Sequence, residues 1–332
     1  MAATGSTGID GRGLLAAARA GDERAFVELT APHRAALHAH CYRLLGSVHD
    51  ADDALQETLL RAWRGIERFE PRAPLSAWLY RIATNVCLRV LEQRSRTPAP
   101  VDVHLEPYPE QSLEPVASPR NGPEAAAEAR EAIGLAFVAA MQLLPPKQRA
   151  VLVLRDVLDW SAREVAEALD DSVAAVNSAL QRARERLARE QHEGSLARAH
   201  VPTDDRVAAA VMRRFQDAWE AVDIDGIVAL LATDALLTMP PESVRVAGAE
   251  AIGTFFATAP LEGRIDRIRL LAARANGQPA LAAYAEDDST GTYRAYGFMV
   301  FAIAGDEVVG ITGFPHRPGL FERLGLRDTL AG

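Results

Sequence analysis

The spacing of apolar and polar residues divides the chain into helical and β-prone stretches. Apolar residues recur at the 3.6-residue helical period from residue 14 to about residue 92, and again from about 124 to 191. One more helical pattern covers residues 204–222. After it, apolar and polar residues alternate, as in residues 292–303 and 307–314. The chain is therefore predicted to be multidomain, with two all-α modules followed by an α+β module.

Two breaks separate these modules. Seven prolines fall between residues 94 and 123, which predicts an extended, semi-rigid linker. A shorter break contains Gly194 and Pro202. We therefore divide the chain into a disordered N-terminus (1–12), a first helical module (13–96), a Pro-rich linker (97–123), a second helical module (124–192), a hinge (193–203) and a C-terminal domain (204–332).

Composition and charge narrow the class of function. The 332 residues are 48% apolar, which excludes wholesale disorder. The sequence has neither a run of about 20 apolar residues nor a secretion signal, and its two cysteines show no metal-ligand spacing. We expect a cytoplasmic protein without membrane contact, cofactor or metal. The net charge is −9, but residues 61–96 carry eight arginines against three acids, a local excess typical of phosphate binding.

Residues 50–64 are predicted to form a helix with two unlike faces. Ala51, Ala54, Leu55 and their successors at helical spacing form an apolar stripe. The opposite face carries acids, an amide and one leucine: Asp52, Asp53, Gln56, Glu57 and Leu60. A face of this kind is either solvated or a partner surface. The exposed leucine favours the partner surface.

The next predicted helix mixes arginine, aromatic residues and an amide. Arginine pairs with phosphate, aromatic rings stack on unpaired bases, and asparagine can bind base edges. The residues concerned are Arg72, Trp78, Tyr80, Arg81, Asn85 and Arg89. Trp78 and Tyr80 also suit a hydrophobic core, so both interpretations stay open for them.

The second module contains the most specific local pattern, a helix-turn-helix. Residues 147–158 are predicted to be helical, and Ser161 and Glu164 fit a capping box that starts a helix over 162–169. A turn at 170–171 leads to Ser172, a natural N-cap. The last helix turns small, amide and arginine residues outward: Ala174, Ala175, Asn177, Ser178, Gln181, Arg182 and Arg184. These suit a DNA groove, although an ordinary three-helix bundle has the same geometry.

Together these stretches resemble a bacterial RNA polymerase sigma factor of the extracytoplasmic-function (ECF) type. The matching strings are residues 50–63, 78–85, 144–149 and 160–184, in that order. The resemblance covers roughly residues 10–192. Residues 107–109 (Pro-Tyr-Pro) and the extra C-terminal domain are similar to the subgroup that carries a SnoaL-like domain, which implies a cone-shaped α+β fold.

The resemblance implies a partner for each surface. Asp52, Asp53, Gln56, Glu57 and Leu60 would dock on the clamp helices of core RNA polymerase. The helix that carries Arg72, Trp78, Tyr80, Arg81, Asn85 and Arg89 would recognise and help melt the −10 promoter element. Ser172, Ala174, Ala175, Asn177, Ser178, Gln181, Arg182 and Arg184 would bind the −35 element. Arg89 departs from the family, because many relatives carry an aspartate shortly after the position of Asn85.

The C-terminal domain resembles SnoaL-like domains through residues 215–219, 225–228, 234–241, 248–252 and 276–280. The fold encloses a pocket that could hold a small-molecule ligand, with six candidate lining residues: Trp219, Asp234, Met239, Arg274, Tyr284 and Tyr296. Asp234 is also suited to capping a turn. His316 is predicted to lie in a loop, and Asp287 and Asp288 at a solvated hairpin tip. No motif has catalytic spacing.

We therefore predict a non-enzymatic sigma factor that binds core RNA polymerase and promoter DNA. Its C-terminal domain would dock on the sigma modules and regulate them. An anti-sigma factor is a further partner that the sequence does not specifically imply. Two alternatives are a SnoaL-type small-molecule enzyme fused to a DNA-binding regulator, and a helix-turn-helix repressor or activator. The acidic helix argues against both, because neither needs such a face.

Overall fold

The computed structural model of the chain describes residues 11–70, 74–96, 105–113, 134–192, 204–240, 242 and 244–331. The first module contains five α-helices: α1 (Gly11–Arg19), α2 (Glu23–Thr30), α3 (Arg34–Leu45), α4 (Val48–Gly65) and α5 (Leu75–Arg96). Because α1 begins at residue 11, the last two residues of the expected disordered terminus are helical. Residues 1–10 lie outside the described part of the chain.

The two-faced helix predicted over residues 50–64 is α4. Gly46 ends α3 in the left-handed conformation (φ 76°), and Ser47 begins α4 by accepting a hydrogen bond from the Asp50 amide at 3.2 Å. The stripe that contains Ala51, Ala54 and Leu55 is buried. The acidic residues of α4 are left on its outer face.

In its described residues, 134–192, the second module has four α-helices, and the helix-turn-helix is present. They are α6 (Leu135–Gln142), α7 (Pro146–Leu152), α8 (Ala162–Leu169) and α9 (Val173–His192). The single helix expected over 147–158 changes at Val153–Val157 into a π-helical turn. The capping box is complete: the Glu164 amide donates to Ser161 Oγ, and the Ser161 amide donates to the Glu164 carboxylate.

The C-terminal domain is an α+β fold around one mixed sheet. Its helices are α10 (Asp205–Glu220), α11 (Ile224–Val228), α12 (Ala249–Thr258) and α13 (Leu320–Arg323). Its strands are β1 (Leu231–Met239), β2 (Val244–Ala247), β3 (Ile268–Ala275), β4 (Gln278–Asp287), β5 (Thr292–Ala304), β6 (Glu307–Pro315) and β7 (Thr329–Leu330). The strand order is β2-β1-β6-β5-β4-β3, with β7 beside β5; β1 and β6 run parallel and the other pairs antiparallel. This is the fold expected of a SnoaL-like domain.

Both faces of this sheet are covered. One face packs against the helices of its own domain, where the rings of Phe215, Trp219, Phe256 and Phe301 contact one another at centroid separations of 5.0–6.2 Å. The other face, which includes Phe298, belongs to the same hydrophobic core as the two helical modules. The three modules therefore share one buried core.

Two further observations bear on the predicted organisation. Within the Pro-rich linker, residues 105–113 form an extended segment with one 3-10 turn, Glu110–Ser112. The rest of that linker and the predicted hinge lie outside the described residues. None of the described helices has the length and apolar character that crossing a membrane requires.

Candidate functional site

The outer face of α4 presents acids around an exposed leucine. Asp52, Asp53 and Gln56 are exposed, and Leu60 leaves 50% of its surface in solvent. Glu57 is half-buried and accepts a hydrogen bond from Arg61 Nε at 2.6 Å. An exposed leucine within a charged face is typical of a partner surface, and the structure brings all five predicted residues onto it.

The two arginines of α5 that were predicted to bind DNA are accessible, whereas Trp78 and Tyr80 are half-buried. Arg81 and Arg89 are exposed. Trp78 packs on Phe69 with ring centroids 4.9 Å apart. Burial raises the pKa of Tyr80, so its hydroxyl stays protonated at neutral pH. Both rings thus pack in part against the core, and their binding to bases stays a prediction. Arg72 lies outside the described residues.

The side of α5 that was predicted to bind bases meets the helix-turn-helix. Asn85 Nδ2 donates to the Ala168 carbonyl at 3.3 Å, and the Tyr80 ring lies edge-on to Trp160 at 6.5 Å. The first module is also joined to the second by the buried guanidinium of Arg149, which donates to the Leu44 carbonyl. Burial lowers the pKa of Arg149 to about 10.

The outer face of α9 is open to solvent. Ser172, Ala174, Asn177, Gln181, Arg182 and Arg184 are exposed, while Ala175 and Ser178 are half-buried. Ser172 Oγ caps α9 by accepting from the Ala175 amide at 3.1 Å. Arg184 is held by two hydrogen bonds to Asp156, of 3.0 and 2.7 Å. The structure therefore places all eight predicted residues along one side of the helix or at its start.

A contact that the sequence did not indicate is made by residues 105–113, which we call the anchor segment. Glu106 caps the N-terminus of α4: its carboxylate accepts from the amides of Val48 at 2.7 Å and His49 at 3.2 Å. Ser47 Oγ donates to the same oxygen at 3.1 Å. The segment thus completes the helix that carries the acidic face.

The same segment binds the C-terminal domain at the β3–β4 turn. Asn276 Oδ1 accepts a hydrogen bond from the backbone amide of Tyr108 at 2.7 Å. The backbone amide of Asn276 donates to the backbone carbonyl of Tyr108 at 2.9 Å. Asn276 Nδ2 donates to the Tyr42 hydroxyl at 2.9 Å. Glu110 accepts from the Gly277 amide at 3.0 Å. Asn276 has a φ of 57° and is buried, so this turn is built into the joint between the modules.

The six pocket candidates do not converge on one cavity. Trp219 and Met239 belong to the core on the helix-covered face of the sheet, and Tyr284 belongs to the core on the opposite face. Arg274 pairs with Glu110 of the anchor segment, at 3.3 Å. Asp234 is exposed on β1. The Tyr296 hydroxyl accepts from the Leu261 amide at 3.2 Å.

Other candidate chemistry in this domain has structural roles. His316 follows β6 in a loop and packs edge-on against Phe321. Asp287 and Asp288 lie at the tip of the β4–β5 hairpin, where Asp288 pairs with Arg267. In the described ranges, side chains that could ligate a metal do not gather in groups of three or more.

Comparison with known proteins gives consistent matches. The family models for Sigma-70 region 2 and Sigma-70, region 4 match residues 29–97 and 134–187. The ECF RNA polymerase sigma factor SigG of Mycobacterium tuberculosis (strain H37Rv) is 40% identical over 329 residues, which cover 93% of this chain and 86% of SigG. SigM of the same strain is 36% identical over 53% of this chain and 82% of SigM.

A solved structure extends the likeness to the whole architecture. The crystal structure of the M. tuberculosis ECF sigma factor SigJ matches with a TM-score of 0.60 and 25% identity, over 90% of this chain and 99% of SigJ. The fold and the two modules that match Sigma-70 regions 2 and 4 define a transcription initiation factor. The chain belongs to the ECF RNA polymerase sigma factors. Within that family it carries a C-terminal SnoaL-like domain.

Proposed function

We propose that the acidic face of α4 is the docking surface for the clamp helices of core RNA polymerase. The observation that carries this proposal is the exposed Leu60 among Asp52, Asp53, Gln56 and Glu57 on a capped, well-packed helix. An apolar centre surrounded by charges is the usual composition of a binding hot spot. The surrounding acids would pair with basic residues of the polymerase and accelerate association.

Promoter DNA is bound at two separate surfaces. The outer face of α9 enters the major groove of the −35 element, where Asn177 and Gln181 contact base edges and Arg182 and Arg184 contact phosphates. The −10 element, once melted, binds along α5 through Arg81, Arg89 and Asn85. Trp78 and Tyr80 offer aromatic rings for stacking with its bases. The contact of Asn85 with Ala168 supports a closed form in which this second surface opens only on assembly with polymerase.

The C-terminal domain regulates these surfaces through its contacts with the sigma modules. Its sheet shares a core with both modules, and Asn276 holds the anchor segment against α3. Residues expected to line a ligand pocket lie on both faces of the sheet, and Arg274 pairs with the anchor segment, so they do not form a single catalytic cluster. The protein would catalyse no reaction itself. It would act in the cytoplasm, where RNA polymerase is found.

A binding assay with core polymerase tests the docking surface. Leu60→Ala and Asp52→Ala should each weaken binding of the full-length protein about tenfold or more, as truncation of a hot-spot residue does. Glu250 of α12 and Val207 of α10 are exposed residues far along the chain from α4, and their alanine variants serve as matched controls. Equal affinity for all four variants would exclude this face.

A further inference from the structure

We propose that His38 and Tyr108 are positioning residues for the carboxylate of Asp52. Through them, seating of the anchor segment becomes a requirement for full affinity toward core polymerase. The proposal rests on the proposed docking function of α4. It adds two residues that lie largely buried behind the docking surface, and it connects the C-terminal domain to that surface through the anchor segment.

His38 lies between the two partners. Its side chain, on α3, is only 13% exposed; Nδ1 is 2.7 Å from the Tyr108 hydroxyl, and Nε2 is 3.1 Å from Asp52 Oδ1. A carboxylate only accepts hydrogen bonds, so the proton of a neutral imidazole belongs on Nε2. Nδ1 then accepts from the Tyr108 hydroxyl. Burial lowers the pKa of His38, which favours this neutral form.

The ring orientation of His38 depends on Tyr108. Nε2 lies 3.1 Å from Asp52 Oδ1 but does not form a regular hydrogen bond with it, so this contact alone does not fix the ring. The shorter bond to Tyr108 is therefore the contact that sets the ring. A neutral imidazole held in this way keeps its Nε2–H group 3.1 Å from Asp52 Oδ1 and attracts the carboxylate toward α3 without neutralising its charge, so the charge stays available to a basic partner.

Tyr108 is in turn fixed by the C-terminal domain. The tyrosine is buried, and its backbone amide and carbonyl both bond to Asn276. Its ring packs on Tyr42 with centroids 4.6 Å apart. A connected series of contacts thus runs from Asn276 through Tyr108 and His38 to Asp52 on the polymerase-facing side.

Glu106 supplies a second connection from the same segment. Two residues before Tyr108, it caps the α4 amides one turn before Asp52. Release of the anchor segment would therefore uncap α4 and free the His38 ring at the same time. Full docking geometry requires both contacts, so the seated C-terminal domain supports polymerase binding.

A double-mutant cycle in the full-length protein tests the proposal. The four proteins are the wild type, Tyr108→Phe, Asp52→Ala and the double variant, and the measured quantity is the Kd for purified core RNA polymerase from a bacterium that carries a related sigma factor. Tyr108→Phe should weaken binding about three- to tenfold, the range of coupling in hydrogen-bonded networks. The double variant should bind no more weakly than Asp52→Ala alone, because Tyr108 acts through Asp52.

Control measurements separate positioning from loss of folding. Tyr293→Phe removes a hydroxyl from a half-buried tyrosine of β5 and should leave the Kd for polymerase unchanged. Affinity for a −35 duplex should be equal in all variants, since α9 is not touched. Full affinity in Tyr108→Phe, or effects that multiply in the double variant, would overturn the inference. An unchanged Kd in Asp52→Ala would instead contradict the proposed docking face.

Discussion

Asn85 on α5 donates a hydrogen bond from its side-chain amide to the backbone carbonyl of Ala168, 3.3 Å away at the end of α8. The same amide group donates to the Arg81 carbonyl at 2.9 Å. The residue proposed to bind an unpaired base is thus engaged by the helix-turn-helix in this structure. If Asn85 binds the −10 element as proposed, the two modules must separate, so we expect promoter melting to be coupled to opening.

Asn85→Ala should impair melting of the −10 region but not recognition of the −35 element. Loss of one base-reading amide is expected to reduce open-complex formation about tenfold, the usual scale for a specific base contact. Permanganate reactivity of −10 thymines in the polymerase complex measures the first property, and binding of a −35 duplex measures the second. A parallel loss of −35 affinity would place Asn85 in a structural role.

Two residues of α9 should differ in how their loss affects DNA binding. Arg182→Ala removes a proposed phosphate contact, so it should weaken binding to every −35 sequence and reduce the dependence of log K on log salt by about 1. Asn177→Ala should lower discrimination between −35 sequences by about 1–3 kcal/mol with little change in the salt dependence. Duplex titrations at several salt concentrations distinguish the two. Identical behaviour of both variants would contradict the assigned division of roles.

Arg149 should be a major determinant of stability. Its guanidinium is buried and donates to the Leu44 and Leu144 carbonyls and to both oxygens of Gln142. Arg149→Met leaves these buried acceptors without a donor and should lower the free energy of unfolding by about 2–4 kcal/mol. Urea denaturation measures the effect. Arg163→Met, at an exposed pair with Glu167, is the control and should leave the midpoint unchanged.

The stability of the first module should fall as the pH drops below about 6.5. Burial, with a contribution from Arg43, lowers the pKa of His40 to about 3. Between these values the unfolded chain binds a proton that the folded chain does not, so unfolding becomes easier by about 1.4 kcal/mol per pH unit. The loss of stability begins near pH 6.5, the pKa of His40 in the unfolded chain, and ends near pH 3, its pKa in the folded chain.

His40→Leu isolates this contribution. His40 Nε2 is 2.8 Å from Thr84 Oγ1, which keeps its own bond to the Tyr80 carbonyl when the histidine is replaced. Unfolding measured at pH 7, 6 and 5 should show a shallower decline in the variant than in the wild type. Equal declines would mean that His40 is protonated in the folded state.

The surfaces built from single helices were predictable from the sequence. The two faces of α4 and the capping box of α8 are local patterns, because the residues that define them lie three or four positions apart. The open face of α9 follows from the same periodicity. The two strands named in advance lie within one residue of β5 and β6.

The joints between modules could not be predicted, because their partners are far apart in sequence. Glu106 is 58 residues from Val48, and Tyr108 is 168 residues from Asn276. In the sequence the prolines beside Tyr108 indicated a linker and a likeness to the SnoaL-carrying subgroup, but not the contacts that this segment makes. From the sequence alone, Arg149 would be expected at the surface, because the carbonyl groups that accept its hydrogen bonds are identified only by the structure. The near-continuous small and apolar run at residues 279–285 was a usable sign that both faces of β4 are buried.

In vitro transcription from a pool of promoters tests the central claim most directly. Purified core RNA polymerase from a bacterium with a related sigma factor is combined with the full-length protein, and start sites are mapped with and without it. The account predicts discrete new start sites that share −10 and −35 sequences and that are lost with Leu60→Ala but kept with Val207→Ala. Absence of new start sites, together with no binding of the protein to core polymerase, would contradict it.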